Sequence, residues 1–212
     1  MKIFKGTFKT GDFPLHRLEA FSDGIFTIVA TLLILEIRIP QISGTDISQE
    51  ITAGLIHLLP KFLSYVMSFV YISIYWVNHH QLFHLIKRAD RGLFWLNNLF
   101  LMCLAFIPFP TALIGEYPHE YAAVIFYGVV MLVIAGCFLW MKWYVHKVEG
   151  LVDLKVREDM IRLSIFKVWA GPILYLSAIG LAFLNTSMAI AIYVLIPIIY
   201  FFPGKGEKDL YS

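Results

Sequence analysis

Charged residues are scarce in this chain of 212 residues, because only 15% are Asp, Glu, Lys or Arg, against roughly 25% in a soluble domain. Hydrophobic residues make up 59% of the chain, against roughly 45–50% in soluble domains, and the mean hydropathy is +0.73. A soluble protein of this size could not cover its surface with so few charges. The sequence therefore predicts an integral membrane protein with the lipid bilayer as its surroundings. The formal net charge of +2 gives no reason to propose a nucleic-acid partner.

Cysteine is nearly absent as well. The two cysteines, Cys103 and Cys137, lie inside apolar runs, which excludes a disulfide framework and a metal site with the usual cysteine spacing. We expect both to pack as small apolar side chains.

Long polar segments are also lacking, since nothing between the apolar runs exceeds about 20 residues. We therefore expect no soluble catalytic or ligand-binding domain.

Long apolar runs are what the sequence does contain. A membrane-spanning helix needs about 20 predominantly apolar residues, and six runs approach or exceed that length. The sequence predicts one all-α domain over residues 1–212, an integral membrane bundle of six helices. The predicted helices cover residues 21–39, 59–83, 93–114, 122–143, 166–184 and 188–202.

The distribution of Lys and Arg orients these helices. Basic residues favour the cytoplasmic side of membrane proteins. With six crossings and a cytoplasmic N-terminus, all of the 17 basic residues except Arg38 and Lys61 fall on the cytoplasmic side. An odd number of crossings would mix the two sides. The sequence thus predicts that both termini are cytoplasmic.

The first predicted helix carries a narrow face. At about 100° per residue, Gly24, Ile28, Thr31 and Leu35 fall within an arc of about 60°. The side chain of Asp23 lies about 100° away from this arc and is directed at a neighbouring helix. A face of Gly, β-branched and Leu residues is typical of a helix-packing seam. Polar groups at membrane depth, however, indicate function, so both interpretations stay open at this point.

Three motifs in chain order add a further observation. The string R-x-x-x-F-S-D occupies residues 17–23, W-x-x-H occupies residues 76–79, and Asn98 follows on the third predicted helix. Together they resemble the endolysosomal potassium-channel family, and in particular its short prokaryotic members with one six-helix repeat per chain. The resemblance is carried by residues 17–111 and is topological beyond them.

The resemblance implies a potassium channel in the inner (plasma) membrane of a prokaryote, assembled as a homotetramer with the first helices around a central pore. Family members conduct potassium without a TVGYG filter, and that string is absent here. By the resemblance, Ile28 and Leu35, with Leu32 beside them, would form hydrophobic constrictions. Thr31, with Thr27 nearby, would supply the hydroxyls that give selectivity. No cofactor is implied, and K⁺ enters only as the permeant ion.

A polar cluster accompanies the pore helix near the cytoplasmic ends of the first three helices. Its members are Arg17, Phe21, Ser22, Asp23, Trp76, His79 and Asn98. We expect a structural network in which the Asp23 carboxylate accepts hydrogen bonds from Trp76, His79 and Asn98. A proton relay through His79 is the alternative. A metal site is disfavoured because one carboxylate, one imidazole and one amide are scattered over three helices.

Two other functional classes fit the sequence less well than a channel does. A secondary transporter often has internal repeats and helices broken at mid-membrane; no repeat is visible here, and the prolines lie mostly toward helix ends. An intramembrane enzyme would need a nucleophile with a base or paired carboxylates, and Asp23 has no acidic partner on another helix. The sequence favours a passive potassium channel that is not an enzyme, with an ion-coupled secondary transporter as the alternative.

Overall fold

The structure of the chain is a computed structural model that describes residues 14–41, 46–152 and 169–201. Its regular elements are helices, so the predicted all-α fold is confirmed for these residues. In chain order they are α1 (Leu15–Leu32), a 3-10 helix (Leu33–Glu36), α2 (Ile47–His57), α3 (Leu59–His84), α4 (Arg91–Ala105), α5 (Pro108–Glu116), α6 (Tyr121–Lys147), α7 (Trp169–Ala182) and α8 (Thr186–Phe201).

The helix boundaries differ most from the predicted ones in the first and third predicted helices. α1 begins at Leu15 rather than at residue 21. The prediction followed the apolar run alone, whereas the helix also includes the more polar residues before that run. The predicted helix 93–114 is divided into α4 and α5 just before Pro108. Proline lacks the backbone N–H that would continue the hydrogen-bond ladder, so a new helix begins with it. Residues 166–168 and 202 of the predicted fifth and sixth helices lie outside the described residues.

Three helical stretches in the described residues are long and apolar enough to cross a membrane: Leu15–Glu36, Arg91–Glu116 and Tyr121–Lys147. α2 and α3, which are bent by 43° at their junction, make a fourth if the pair is counted as one span. α7 and α8 are shorter apolar helices. Six crossings with both termini in the cytoplasm therefore remain a prediction, and residues 1–13 and 202–212 at the two ends lie outside the described part of the chain.

Side-chain caps define the starts of several helices. The carboxylates of Asp46 and Asp90 accept the backbone N–H groups of Gln49 and Leu93, at 3.2 and 2.8 Å, at the starts of α2 and α4. The first turn of a helix has unpaired N–H groups, and an Asp at the cap satisfies one of them. These caps fix where each helix enters the bundle.

The bundle interior joins the helices through aliphatic and aromatic side chains. α4 packs against α1 and α6, and α3 packs against α5 and α1. A small hydroxyl cluster lies within this interior, where Ser68 Oγ is 2.7 Å from Thr111 Oγ1 and 3.1 Å from the Tyr127 hydroxyl. This cluster connects α3, α5 and α6 away from α1, so α1 is held mainly by its contacts with α3 and α4.

The start of α4 is also attached to the end of α6. The Tyr144 hydroxyl donates a hydrogen bond of 2.7 Å to Asp90, the residue that caps α4. Gly92 lies directly against this hydroxyl, and a Cβ atom at position 92 would collide with it. A side chain at Gly92 must therefore displace Tyr144 from Asp90.

We expect Gly92→Ala to lower the free energy of unfolding by about 1–3 kcal/mol, because the added methyl group overpacks the site and disrupts the Tyr144–Asp90 bond. The matched control is Gly136→Ala on α6, where a Cβ atom meets nothing within 4 Å. Alanine there should be neutral or stabilising by up to about 1 kcal/mol. Thermal unfolding of the two purified variants in detergent measures the difference, and equal midpoints would contradict the expectation.

Candidate functional site

α1 has two distinct sides. Its inner side is formed by the buried residues Leu18, Ser22, Phe26, Val29 and, in the 3-10 helix, Leu33. Gly24, Ile28, Thr31 and Leu35 are exposed in the single chain, with Ile28 at 54% and Leu35 at 68% of full accessibility. The helical positions of the two sets place them on roughly opposite sides of the helix. The narrow face found in the sequence is therefore not used to pack the subunit's own core.

The threonines of the exposed side are hydrogen-bonded to their own helix. The Thr27 hydroxyl donates to the Asp23 carbonyl at 2.8 Å. The Thr31 hydroxyl lies 2.8 Å from the Ile28 carbonyl and 3.0 Å from the Thr27 carbonyl. Each side chain thus satisfies its donor without a second helix, and it can face a lipid, a neighbouring subunit or an aqueous pore.

The 3-10 helix changes the position of Leu35. Ideal 3-10 geometry turns each residue by about 120°, so residues three apart lie over one another. Ideal 3-10 geometry would bring Leu35 about 60° closer to the direction of Leu32 than a continuous α-helix would. Leu35 nevertheless stays on the exposed side of the helix, and Leu32 is itself 42% exposed. Both leucines are therefore available for the predicted apolar constriction at this end of α1.

A buried hydrogen-bond chain ties α1 to α3 and α4. His79 Nε2 donates to Asn97 Oδ1 at 2.8 Å, and Asn97 Nδ2 donates to Ser22 Oγ at 2.9 Å. The Ser22 hydroxyl in turn donates to the Leu18 carbonyl at 2.8 Å. All three side chains are buried. Each of the three donor atoms, His79 Nε2, Asn97 Nδ2 and Ser22 Oγ, has an acceptor, and satisfied polar groups are what a buried network needs to stabilise a fold.

The imidazole of His79 is enclosed by aromatic rings. It stacks on Phe83 with centroids 4.1 Å apart and lies 5.4 Å from Phe26 and 6.1 Å from Phe100. These rings, together with the burial of His79, leave its imidazole 2% exposed. In the described residues, no set of three His, Cys, Asp or Glu side chains is placed to hold a metal ion. The surroundings of His79 favour a structural role.

Asp23 is not the centre of this network. Its carboxylate accepts a 2.9 Å hydrogen bond from the indole N–H of Trp76, and both residues are exposed in the single chain. Trp76 stacks on His80, with centroids 6.0 Å apart. The predicted single cluster around Asp23 is therefore corrected to two units, a buried chain through Ser22 and an exposed Asp23–Trp76 pair.

The amide of the buried chain belongs to Asn97 rather than to Asn98, which corrects the sequence prediction. Asn97 follows Leu93 by four residues and precedes Leu101 by four, and all three are buried on one side of α4. That spacing could have identified Asn97. The signal is weak, however, because α4 is apolar on most of its circumference and the rotation of the helix is set by α6.

Arg17, Phe21 and Asn98 lie around a surface depression instead. It has a volume of about 400 Å³. Its lining residues are Pro14, Arg17, Leu18, Phe21, Phe94 and Asn98. Three residues predicted to belong to the polar network thus lie between α1 and α4 at the surface, outside the buried hydrogen-bond chain.

We expect Asn97→Leu to destabilise the protein by about 1–3 kcal/mol, because it leaves the buried N–H of His79 without an acceptor. The control is Asn98→Leu, one residue away at the edge of the depression, which should change stability by less than about 0.5 kcal/mol. Thermal midpoints and the yield of folded protein after gel filtration compare the two. A larger loss of stability in Asn98→Leu than in Asn97→Leu would contradict the placement of Asn97 in the buried hydrogen-bond chain.

Comparison with known proteins places this geometry in a family. Residues 17–108 match the family model described as endosomal/lysosomal potassium channel TMEM175. A protein of Streptomyces collinus named a potassium channel is 38% identical over 88% of this chain and 91% of its own length. A second protein of that name, from Chamaesiphon minutus, is 35% identical over 87% and 92%. The human endosomal/lysosomal proton channel TMEM175 is 30% identical over 83% of this chain and 38% of its own length.

A solved structure agrees with the sequence relatives. The crystal structure of a lysosomal potassium-selective channel TMEM175 homolog from Chamaesiphon minutus matches with a TM-score of 0.76 and 34% identity, over 88% of this chain and 96% of the other. With this similarity in sequence and in fold over most of its length, the chain belongs to the TMEM175 family.

Proposed function

We propose that this protein is a passive, potassium-selective channel, formed by four copies of the chain around a pore that α1 lines. The observation that carries the proposal is the exposed side of α1, where Ile28, Thr31 and Leu35 lie opposite the buried side that holds the helix in its subunit. The names of the bacterial relatives and of the matching crystal structure support potassium as the conducted ion.

The low burial of α1 supports a role at a subunit interface or pore. In Leu15–Glu36, 28% of the most apolar membrane-length stretch is buried inside the chain. The corresponding buried shares are 44% in Arg91–Glu116 and 50% in Tyr121–Lys147. One chain offers one such face, so a closed pore needs several copies arranged by rotational symmetry. Four copies are the number implied by the family resemblance.

The side chains on this face suit both gating and selection. Rings of Ile28 and of Leu32 with Leu35 would close the pore by excluding water. A ring of Thr31 hydroxyls, with Thr27 beside it, would offer oxygen atoms to an ion that has lost part of its hydration shell. Potassium gives up water more readily than sodium, so partial compensation favours potassium. We expect the preference to be moderate.

The buried chain through Ser22, Asn97 and His79 supports the pore rather than lining it. It holds the inner side of α1 to α3 and α4, and this fixes the direction in which the exposed side points. The proposed channel is a multi-pass protein of a prokaryotic inner membrane with cytoplasmic termini. It needs no cofactor and performs no catalysis, and K⁺ only passes through it.

Flux through the purified protein in liposomes tests the proposal. We expect a potassium gradient to dissipate passively, in proportion to the electrochemical driving force, and to stop when that force is zero. Under the same conditions, sodium should pass more slowly. Saturable exchange that requires a counter-ion would identify a secondary transporter instead. Liposomes that contain the protein but have equal potassium on both sides provide the baseline.

A further inference from the structure

The two cysteines of the chain meet in the folded protein. Cys103 on α4 and Cys137 on α6 are 34 positions apart, and their Sγ atoms are separated by 3.8 Å. The sequence suggested only that each packs as a small apolar group. Since the chain has two cysteines in all, the structure pairs every thiol it contains.

The two helices hold this pair close together, midway along stretches that are long and apolar enough to cross a membrane. Leu104, beside Cys103, and Phe138, beside Cys137, are buried in the contact between α4 and α6. The two cysteines themselves are partly exposed. A disulfide needs a sulfur–sulfur distance of about 2.05 Å. Forming the bond from the 3.8 Å separation requires the two side chains to rotate toward each other.

We propose that Cys103 and Cys137 are a reversible redox site, in which a hydroperoxide oxidises the two thiols to a disulfide between α4 and α6. One thiol loses its proton and the thiolate attacks the peroxide; the O–O bond breaks, the leaving oxygen takes the proton as water or alcohol, and a sulfenic acid forms. The second thiol displaces the sulfenic oxygen as water, and the S–S bond forms. Two thiols and one hydroperoxide thus give one disulfide, with both thiol protons in the oxygen-containing products.

Closing this bond would constrain a helix that anchors α1. α4 carries Asn97, whose amide holds Ser22 of α1 and His79 of α3. A covalent link to α6 would limit the movement of α4 in the folded state and restrict the unfolded chain. Oxidation should therefore raise the thermal unfolding midpoint by a few degrees. The proposal does not depend on which ion the protein conducts.

Thiol counting on the intact protein tests the site. Purified protein in liposomes is exposed to dilute hydrogen peroxide, denatured and alkylated, and its mass is measured. We expect two alkylated cysteines per chain before exposure, none after it, and two again after treatment with a dithiol reductant. Peptide mapping should find Cys103 joined to Cys137 within one chain, and a non-reducing gel should show monomers only.

The single variants Cys103→Ser and Cys137→Ser are the matched controls. Each can form a sulfenic acid but has no second thiol in the chain, so each should be trapped by dimedone, whereas the parent protein should not. The proposal is overturned if the parent retains two free thiols, if the disulfide joins two chains, or if the parent accumulates the dimedone adduct. A disulfide that leaves the thermal midpoint unchanged would overturn the constraint on α4. The measurements on the parent protein stand even where a variant fails to fold.

Discussion

Replacing Leu35 with Ser is expected to raise the basal potassium flux of the reconstituted protein by about tenfold. Leu35 is the most exposed of the apolar side chains proposed to line the pore, and Leu32 lies three residues before it on the exposed side. Apolar side chains of this kind close a pore by excluding water from it, without blocking it sterically. A hydroxyl group in place of the isobutyl side chain would hydrate the constriction. Lowering the barrier by about 1.4 kcal/mol gives a tenfold increase in rate.

Ile34→Ser is the matched control for this experiment. Ile34 is the neighbouring residue of the same 3-10 helix, is similar in size and is also exposed, but it lies on a different side of the helix. Its replacement should leave the flux unchanged. Fluorescence-based flux in liposomes, normalised to the amount of assembled oligomer, measures both variants. An assembled Leu35→Ser protein whose flux does not increase would remove Leu35 from the gate.

Thr31→Val is expected to lower the potassium-to-sodium permeability ratio toward one. Valine keeps the β-branched shape of threonine and removes only the hydroxyl. The hydroxyl lies between the apolar layers of Ile28 and of Leu32 with Leu35, and in the proposed pore it is the principal side-chain compensation for a partly dehydrated ion. The Thr31 hydroxyl is hydrogen-bonded only to carbonyls of its own helix. Because its removal breaks no contact between helices, we expect folding to be little affected.

Thr52→Val provides the comparison for Thr31→Val. Thr52 is an exposed threonine on α2 whose hydroxyl donates to the Ser48 carbonyl at 2.9 Å, in the same manner as Thr27. It lies outside α1, and its replacement should leave the permeability ratio at the parent's value. Reversal potentials under bi-ionic conditions report the ratio directly. A parental ratio in Thr31→Val would move selectivity elsewhere on α1, and Ile28 would be examined next.

The properties of α1 could be predicted from sequence because they depend on position along one helix. The spacing of Gly24, Ile28 and Thr31 follows from helical geometry alone, and these residues are exposed together. The polar partners of α1 could not be predicted to the residue. Choosing between Asn97 and Asn98 requires the rotation of α4 about its axis, and that rotation results from packing against α6, which the sequence does not display.

Two local features of the helices were also missed, for different reasons. The division of the third predicted helix before Pro108 has a visible signal in the proline, although the apolar run continues through it and the stretch Arg91–Glu116 is long enough for one span. The 3-10 helix at Leu33–Glu36 has no visible sequence signal, since three of its four residues are apolar, as in the turns of α1 before it. A helical wheel assumes a constant pitch, and α1 keeps α-helical pitch only as far as Leu32.

The hydrogen bonds of Thr27 and Thr31 have a consequence for the sign of charge that could pass. A hydroxyl group has a single hydrogen, and in both residues it is directed to a carbonyl of α1. What remains on the outer side of each oxygen is electron density. Chloride or nitrate moving along this face would meet no hydrogen-bond donor from either threonine, and would be repelled by the same atoms that attract a cation. Discrimination against anions would then be built into the backbone bonding of the helix, without any charged residue in the pore.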